Sequence, residues 1–415
     1  MRRAASKRAA VTAALAAALA TCLAVRAAAA EDARVEAGPK GFSLASADGH
    51  WTLELHGLLH FDGRTFLDDS APEGADEWLL RRVRPSFEGT AGERIAFRLM
   101  PDFGGGDAQL IDAYVDVSLG GGLSLRAGKF KVPVGLERLQ SSNSLRMVER
   151  SFVTELLPNR DLGIALSAGG KRLGVSAGVF NGVNDGRSGD QDDDGNQELA
   201  VRLFAQPFAA ADSLTTFGVG LAATWGDTDG TSAAPLLSGY RSPGQQTVFR
   251  YRGGATPTVA AGDRLRLSPQ FYWYRGPFGV LGEWARVRQD VSRAGPGFER
   301  RETLEHEAWQ ATAEWFVTGE DAGYRDPDSP GAVQLVARIA QLRIDDAAFS
   351  GGATSFADPA DAVRRADTWG IGVNWRPLAG VKTSLVYQHT DFDGGGAGAD
   401  RPDEKAVFLR LQQSF

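Results

Sequence analysis

Cysteine is almost absent from the 415 residues. Cys22 stands alone, which excludes a disulfide framework and a cysteine-based zinc site. Beyond residue 30 no window approaches 18 uncharged apolar residues, so no membrane-spanning helix is expected there. Positive charge is also short. Residues 1–30 hold five cations (Arg2, Arg3, Lys7, Arg8 and Arg26) and no acid, so of 45 cations and 52 acids the remainder keeps 40 and 52, net −12. A chain so acidic is a poor general nucleic-acid binder. The apolar content of 43% excludes wholesale disorder. Glycine is what the chain has in excess: 51 residues without a collagen period, against a usual share of roughly 7%, point to many turns.

The first thirty residues read as an address. A basic start, the apolar run Val11 to Val25 and the small residues Ala28-Ala29-Ala30 before Glu31 make a three-part secretory signal, with cleavage expected after Ala30. That run of 15 residues is short of the about 20 that a transmembrane helix needs. Leu19-Ala20-Thr21-Cys22 is a poor lipoprotein signal. The mature chain then works outside the cytoplasm, as a secreted soluble protein or as a β-barrel.

Alternation separates the two. Trp51, Leu53, Leu55, Leu59 and Phe61 share one parity, with Thr52, Glu54, His56 and His60 on the other. The same pattern recurs over Phe217–Trp225, Trp309–Val317, Trp369–Trp375, Val381–Tyr387 and Val407–Phe415. Segments of about ten residues with one apolar and one polar face, aromatics at the ends of the apolar face, are what a lipid-exposed barrel requires. A large β-sandwich with one wet face gives similar alternation. The final segment ending on Phe415, as outer-membrane barrels commonly do, favours the barrel. The stretches 62–76, 181–197, 226–246, 292–301, 350–362 and 391–401 are rich in Gly and Asp and read as external loops. The expected organisation is a signal peptide over 1–30, a short tether over 31–47 and one barrel over 48–415.

Catalytic groups are missing as well. Gly174-Val175-Ser176-Ala177-Gly178 matches a nucleophile elbow, but alternation runs straight through it where that chemistry needs a sharp turn. Gly218 to Ala223 resembles a dinucleotide fingerprint inside a strand and opens no helix. His56 and His60 share a face, but on a strand they lie roughly 13 Å apart, too far for one metal. Asp190 to Gly195 starts like a calcium loop, yet Val201 occupies the position of the bidentate glutamate, so a solvated acidic loop tip is the better reading. No cofactor and no metal is expected.

The informative stretch follows Gly128-Lys129-Phe130-Lys131-Val132-Pro133-Val134-Gly135-Leu136-Glu137. It lacks strand alternation up to Asp161, which is too long for a hairpin turn, and loops of that size are usually functional or disordered. Leu145, Met147, Val148, Phe152, Val153, Leu156 and Leu157 make it too apolar to project into water. A loop folded into the lumen accounts for both properties. It carries Arg138, Arg146, Arg150 and Arg160 with Ser141 and Ser142, and guanidinium forks with hydroxyl donors suit a tetrahedral oxyanion. The competing reading is structural, with these arginines paired to Glu137, Glu149, Glu155 and Asp161.

These features together resemble the phosphate-selective porins of the O and P type over nearly the whole mature chain. The landmarks are Leu80-Arg81-Arg82-Val83-Arg84, Asp112-Ala113-Tyr114, the Gly128–Glu137 stretch, Gln140-Ser141-Ser142, Glu149-Arg150-Ser151 and Arg160-Asp161-Leu162-Gly163. Further on stand Gly178-Val179-Phe180-Asn181-Gly182, Trp315 to Glu320, Gly372-Val373-Asn374-Trp375 and Arg410 to Phe415. The resemblance implies an all-β transmembrane antiparallel barrel of sixteen strands, an inward-folded third external loop, and a homotrimer in outer-membrane lipid. It implies passive diffusion of small anions, with phosphate or polyphosphate as leading solutes. By the same resemblance the anion site would be Arg81, Arg82, Asp112, Arg138, Ser141, Ser142 and Arg150.

Three departures accompany it. Arg138 stands where the best-studied members have a lysine. From Glu31 onward there are only six lysines (Lys40, Lys129, Lys131, Lys171, Lys382 and Lys405), where the family has a lysine-rich funnel. Strict alternation would also turn Arg81 to the lipid side with Val83 and Phe87, at roughly 2–4 kcal/mol in mid-membrane, so a bulge, a strand end or a subunit interface is expected there. A general porin on the same scaffold, a secreted β-rich enzyme and an adhesive barrel with a closed lumen are the alternatives.

Overall fold

The computed structural model describes residues 33–38, 41–67, 76–208 and 215–415. The expected signal peptide, 1–30, lies outside the described residues. Two short strands, β1 (Arg34–Gly38) and β2 (Gly41–Ala45), precede β3 (Trp51–Phe66), β4 (Glu77–Ala91), β5 (Ile95–Asp102), β6 (Gln109–Gly120) and β7 (Leu123–Lys131). Then follow β8 (Arg160–Gly169), β9 (Leu173–Phe180), β10 (Glu198–Ala205), β11 (Thr215–Asp229) and a small hairpin, β12 (Tyr240–Arg241) with β13 (Thr247–Phe249). The remaining strands are β14 (Val259–Arg275), β15 (Phe278–Gly295), β16 (Phe298–Phe316), β17 (Val333–Arg343), β18 (Val363–Leu378), β19 (Val381–Gly394) and β20 (Glu404–Ser414).

Strands β3 to β11 and β14 to β20 each pair antiparallel with the next, and β20 returns to β3 through Val407↔Thr65 and Gln413↔Leu59. That closes a sixteen-stranded barrel, in which every strand has two neighbours and no long edge is left to recruit another chain. Its polarity is inside out. Ile371 and Leu385 are each 55% exposed on the outer face, whereas Gln388 and Arg410 are 2% exposed on the inner one. Only an apolar solvent makes that arrangement favourable, since in water it would cost transfer free energy at every outer Leu and Ile. Aromatic pairs mark both ends of the outer face: Phe61 stacks on Trp78 at 5.5 Å and Phe278 on Trp315 at 5.9 Å.

Several sequence expectations change. The loops expected over 62–76, 226–246 and 391–401 begin later, because β3 runs to Phe66, β11 to Asp229 and β19 to Gly394, and the second of them holds β12. Residues 292–301, expected as a loop, are mostly strand. Strands β15 and β16 pair from Phe278↔Trp315 to Gly295↔Phe298 around a tight turn at Gly297, whose positive φ of 81° suits a residue without Cβ. The expected tether, 31–47, contains β1 and β2. Strand β2 pairs with β3 from Phe42↔Leu55 to Ala45↔Thr52, directly below the point where β20 pairs with Leu58, so it covers an edge that would otherwise be open.

Phe415 completes this seam. Its backbone exchanges two hydrogen bonds with Gly57, both 3.1 Å, and its ring meets Phe42 edge-on at 6.5 Å. A Cβ at Gly57 would run into that ring, so the glycine leaves room for it. Phe415→Ala should therefore slow barrel closure and reduce the heat-dependent shift of unheated samples on gels. A normal shift and yield would show that the seam closes without the ring.

The lumen is unevenly filled. Phe152, Val153, Leu156 and Leu157 pack with Tyr240, Val248 and Phe249 and with Phe349 and Phe356, against wall residues such as Val287, Leu304 and Leu342. This apolar cluster runs along the wall from Phe130 on β7 and Phe180 on β9 through β15 to β17 and on to Val363 and Ala366 on β18. Open space remains towards β4 to β8.

Candidate functional site

The segment between β7 and β8 folds onto the inner wall, and the wall supplies the partners that a buried loop needs. It contains two single-turn helices, α1 (Leu136–Leu139) and α2 (Val153–Leu156). Glu283 on β15 accepts the amides of Leu136 (2.5 Å) and Glu137 (3.2 Å). Arg338 on β17 pairs with Glu137 and donates to the Glu149 carbonyl at 2.9 Å. Arg410 on β20 grips Asp62 through both oxygens (2.7 and 2.6 Å) and donates to the Val148 carbonyl at 2.6 Å. Lys382 on β19 donates to the carbonyls of Asn143 (2.9 Å) and Leu145 (3.0 Å). The loop is thus held from β3 and β20 on one side to β15 and β17 on the other.

Strand β4 brings three arginines to it. His60 pairs with Arg82 and Phe61 with Leu80, so Arg81 is an extra residue in a bulge. A bulge re-aims its side chain, and here it turns Arg81 to the lumen. Arg81 and Arg82 thus both face inward, which answers the lipid-side placement that strict alternation would impose. Arg81 donates to both oxygens of Glu149, at 2.6 and 3.1 Å. Arg82 meets His60 Nδ1 at 3.0 Å. Arg84 is steered by Asp102 at 2.7 Å, a carboxylate that also accepts the Val83 amide at 3.0 Å, and donates to Ser142 Oγ at 3.1 Å.

The loop arginines do not pair with the loop's own acids. Arg138 donates to the carbonyls of Thr154 and Leu157, and Arg150 to those of Glu137 (3.1 Å) and Gln140 (2.9 Å). Carbonyls fix a guanidinium without cancelling its charge. Arg146 points away to Glu314, at 2.8 Å, and to Asp326, at 3.2 Å, and acts as a clamp. Arg160 pairs with Asp112 at 2.7 Å. Asp161 accepts the amides of Leu162, Gly182 and Val183, which pins the neighbouring loop.

Two of the cavities beside the loop hold the expected residues. The smaller, about 190 Å³, is lined by Arg81, Arg82, Arg138 and Arg150, by Arg84 and Arg160, and by Arg187 between β9 and β10 and Arg241 on β12. Eight arginines face two glutamates, Glu149 and Glu155; with Arg84 and Arg160 paired to Asp102 and Asp112, an excess of four positive charges remains. The larger, about 790 Å³, is lined by Asp112, Ser141 and Ser142 among others. Arg84 and Arg160 line both cavities and mark the passage between them. Of the seven residues expected at one site, four therefore share the smaller cavity and three the larger. Arg84 could have been found from its shared parity with Arg82. Arg187 and Arg241 carried no local signal, since long-range folding alone brings their loops here.

Electrostatics within the smaller cavity follow from crowding. Burial and the charge of Arg138 push Arg150 down to about 9, and burial takes Arg138 to about 10, so both stay cationic at neutral pH. Burial alone would raise the Glu149 carboxyl, but Arg81, Arg82 and Arg410 outweigh it and hold it well below the usual range. Buried Arg82 Nε and Arg138 Nε find no hydrogen-bond partner among the described residues.

The family described as phosphate-selective porin O and P matches residues 55–415. The chain belongs to that family. It is a porin of the bacterial outer membrane, a channel built to this fold. Among solved structures the porin is similar to an anion-selective porin from Comamonas acidovorans, with 12% identity, 88% of this chain and 99% of that one covered, and a TM-score of 0.55. It is also similar to the trimer form of in-vitro folded OmpT, an outer membrane protein of Vibrio cholerae (9% identity, 88% and 99% covered, TM-score 0.52). A third likeness is to OprB of Pseudomonas putida at high pH (8% identity, 89% and 95% covered, TM-score 0.51). At such identities these likenesses concern the barrel alone. No curated protein matches the chain.

Proposed function

We propose that this porin passes small anions by diffusion and prefers oxyanions, with phosphate or polyphosphate as leading solutes. The observation that carries the reading is the convergence of eight arginines on a cavity of about 190 Å³. A site for an organic ligand usually encloses ~300–1,000 Å³, so one of this size suits a compact anion better. Guanidinium forks replace the water that an entering anion sheds, and their geometry matches phosphate better than chloride. Release runs past Arg84 and Arg160 into the larger cavity, where Asp112 pairs with Arg160 and moderates its pull. The six lysines from Glu31 onward supply little of this charge, so arginine does the work that lysine does elsewhere in the family. Export through residues 1–30 and assembly as a trimer complete the proposal.

One observation favours a second reading, a weakly selective diffusion porin: the Arg81 fork is already engaged by Glu149. Single-channel chloride current titrated with phosphate decides between them. A selective porin is blocked progressively by phosphate. Arg138→Gln and Arg150→Gln, which keep a donor for the loop carbonyls but remove the charge, should each raise the half-blocking concentration about tenfold, the effect of one charge-assisted hydrogen bond. Linear current without block would establish the diffusion porin.

A further inference from the structure

Glu149 lines the smaller cavity. The residue is 3% exposed, and its carboxylate accepts from Nε and Nη2 of Arg81. Arg64 lies 3.3 Å and Arg410 3.5 Å from Oε1, and Arg82 lies 3.9 Å from Oε2. Four guanidinium groups from β3, β4 and β20 thus converge on one carboxylate carried by the loop. Arg410 and Arg64 have other acids in Asp62 and Glu77. Arg81 spends both of its side-chain hydrogen bonds on Glu149. A planar carboxylate gripped fork to fork is the same recognition that a phosphate would receive.

We propose that Glu149 is a tethered competitor for the permeating anion. It occupies the Arg81 fork, so an anion in the smaller cavity engages the remaining edges of Arg82, Arg138 and Arg150 and leaves readily. Conduction needs binding strong enough to admit the ion and weak enough to release it, and a resident carboxylate sets that balance from within the protein. The inference rests on the anion-porin reading and deepens it by naming the residue that limits affinity. A purely structural role, tying the loop to β4, predicts the opposite sign. Loss of the tie would then disperse Arg81 and Arg82 and weaken anion binding.

The test is phosphate block of chloride current through the full-length protein in planar bilayers, wild type against Glu149→Gln. Gln keeps the length and one acceptor but no charge. The half-blocking phosphate concentration should fall at least about tenfold, the scale of one freed charge-assisted hydrogen bond. Glu149→Asp, which retains the charge and retracts it from Arg81, should give a smaller fall in the same direction and serves if the Gln variant does not insert. Block in Gln without block in wild type would overturn the anion preference of the wild-type porin while supporting the competitor. If wild type is blocked and both variants need the same or more phosphate, the competitor is overturned and the anion reading stands. If none of the three is blocked, both fall.

Discussion

Replacing residues 138–159 by a short turn should raise single-channel conductance several-fold and remove anion preference. The segment carries Arg138 and Arg150 and contributes Phe152, Val153, Leu156 and Leu157 to the apolar cluster that runs along the lumen wall. Its loss takes away both the obstruction and much of the charge. Wall groups such as Arg338 and Arg410 then lose loop carbonyls at 2.9 and 2.6 Å. Stranding a buried charge costs about 3–5 kcal/mol, but here the deletion admits water to the survivors, so the sixteen-stranded ladder should persist. Planar-bilayer conductance measures the outcome. An unchanged conductance would mean that the loop does not lie in the ion path.

Much of this was legible because a barrel writes its faces into the chain. Alternation located β3, β16, β18 and β19, and the unalternating, apolar stretch after Lys131 located the inward loop. Turns were less legible. Residues 292–301 look like a loop in composition, yet the β15–β16 hairpin extends to Gly295 and Phe298 because cross-strand pairing outweighs local polarity. The β2 strand was invisible for a related reason: it exists to cover the lower edge of β3, which is a property of the closed sheet. At the site, the parity of Arg81 pointed to an irregularity, and the His60/Phe61 register shift is that irregularity. The partition of Asp112, Ser141 and Ser142 into the larger cavity could not be read from sequence, because it depends on where the loop crosses the lumen. Nor could Glu149 be assigned to β4, since its neighbours Arg146 and Arg150 were equally plausible partners by distance along the chain.

The second large effect concerns how an acidic protein can prefer anions. From Glu31 onward the chain is net −12, and Asp192, Asp193 and Asp194 lie in an external loop. Asp192 accepts the amides of Asp194 (3.1 Å) and Gly195 (2.6 Å), and Asp194 those of Asn196 (3.0 Å) and Asp229 (2.9 Å). These are the bonds of a self-capped turn. Charges in water are screened beyond about 8 Å at physiological salt, so such acids act weakly on an ion inside the barrel. In the smaller cavity the dielectric is lower and the same unit charge counts for more. The local excess there is four positive charges once Asp102 and Asp112 are counted. Removing two of them, at Arg138 and Arg150, also removes the two whose hydrogen bonds go to carbonyls and leave their charge uncancelled.

Reversal potential across a potassium chloride gradient, at physiological ionic strength, tests that account most directly. Wild type should reverse at an anion-selective potential, and Asp192→Asn, Asp193→Asn and Asp194→Asn combined should leave it unchanged. Arg138→Gln with Arg150→Gln should move it most of the way to the non-selective value. A larger shift from the loop acids than from the two arginines would contradict local control of selectivity by the arginine cluster.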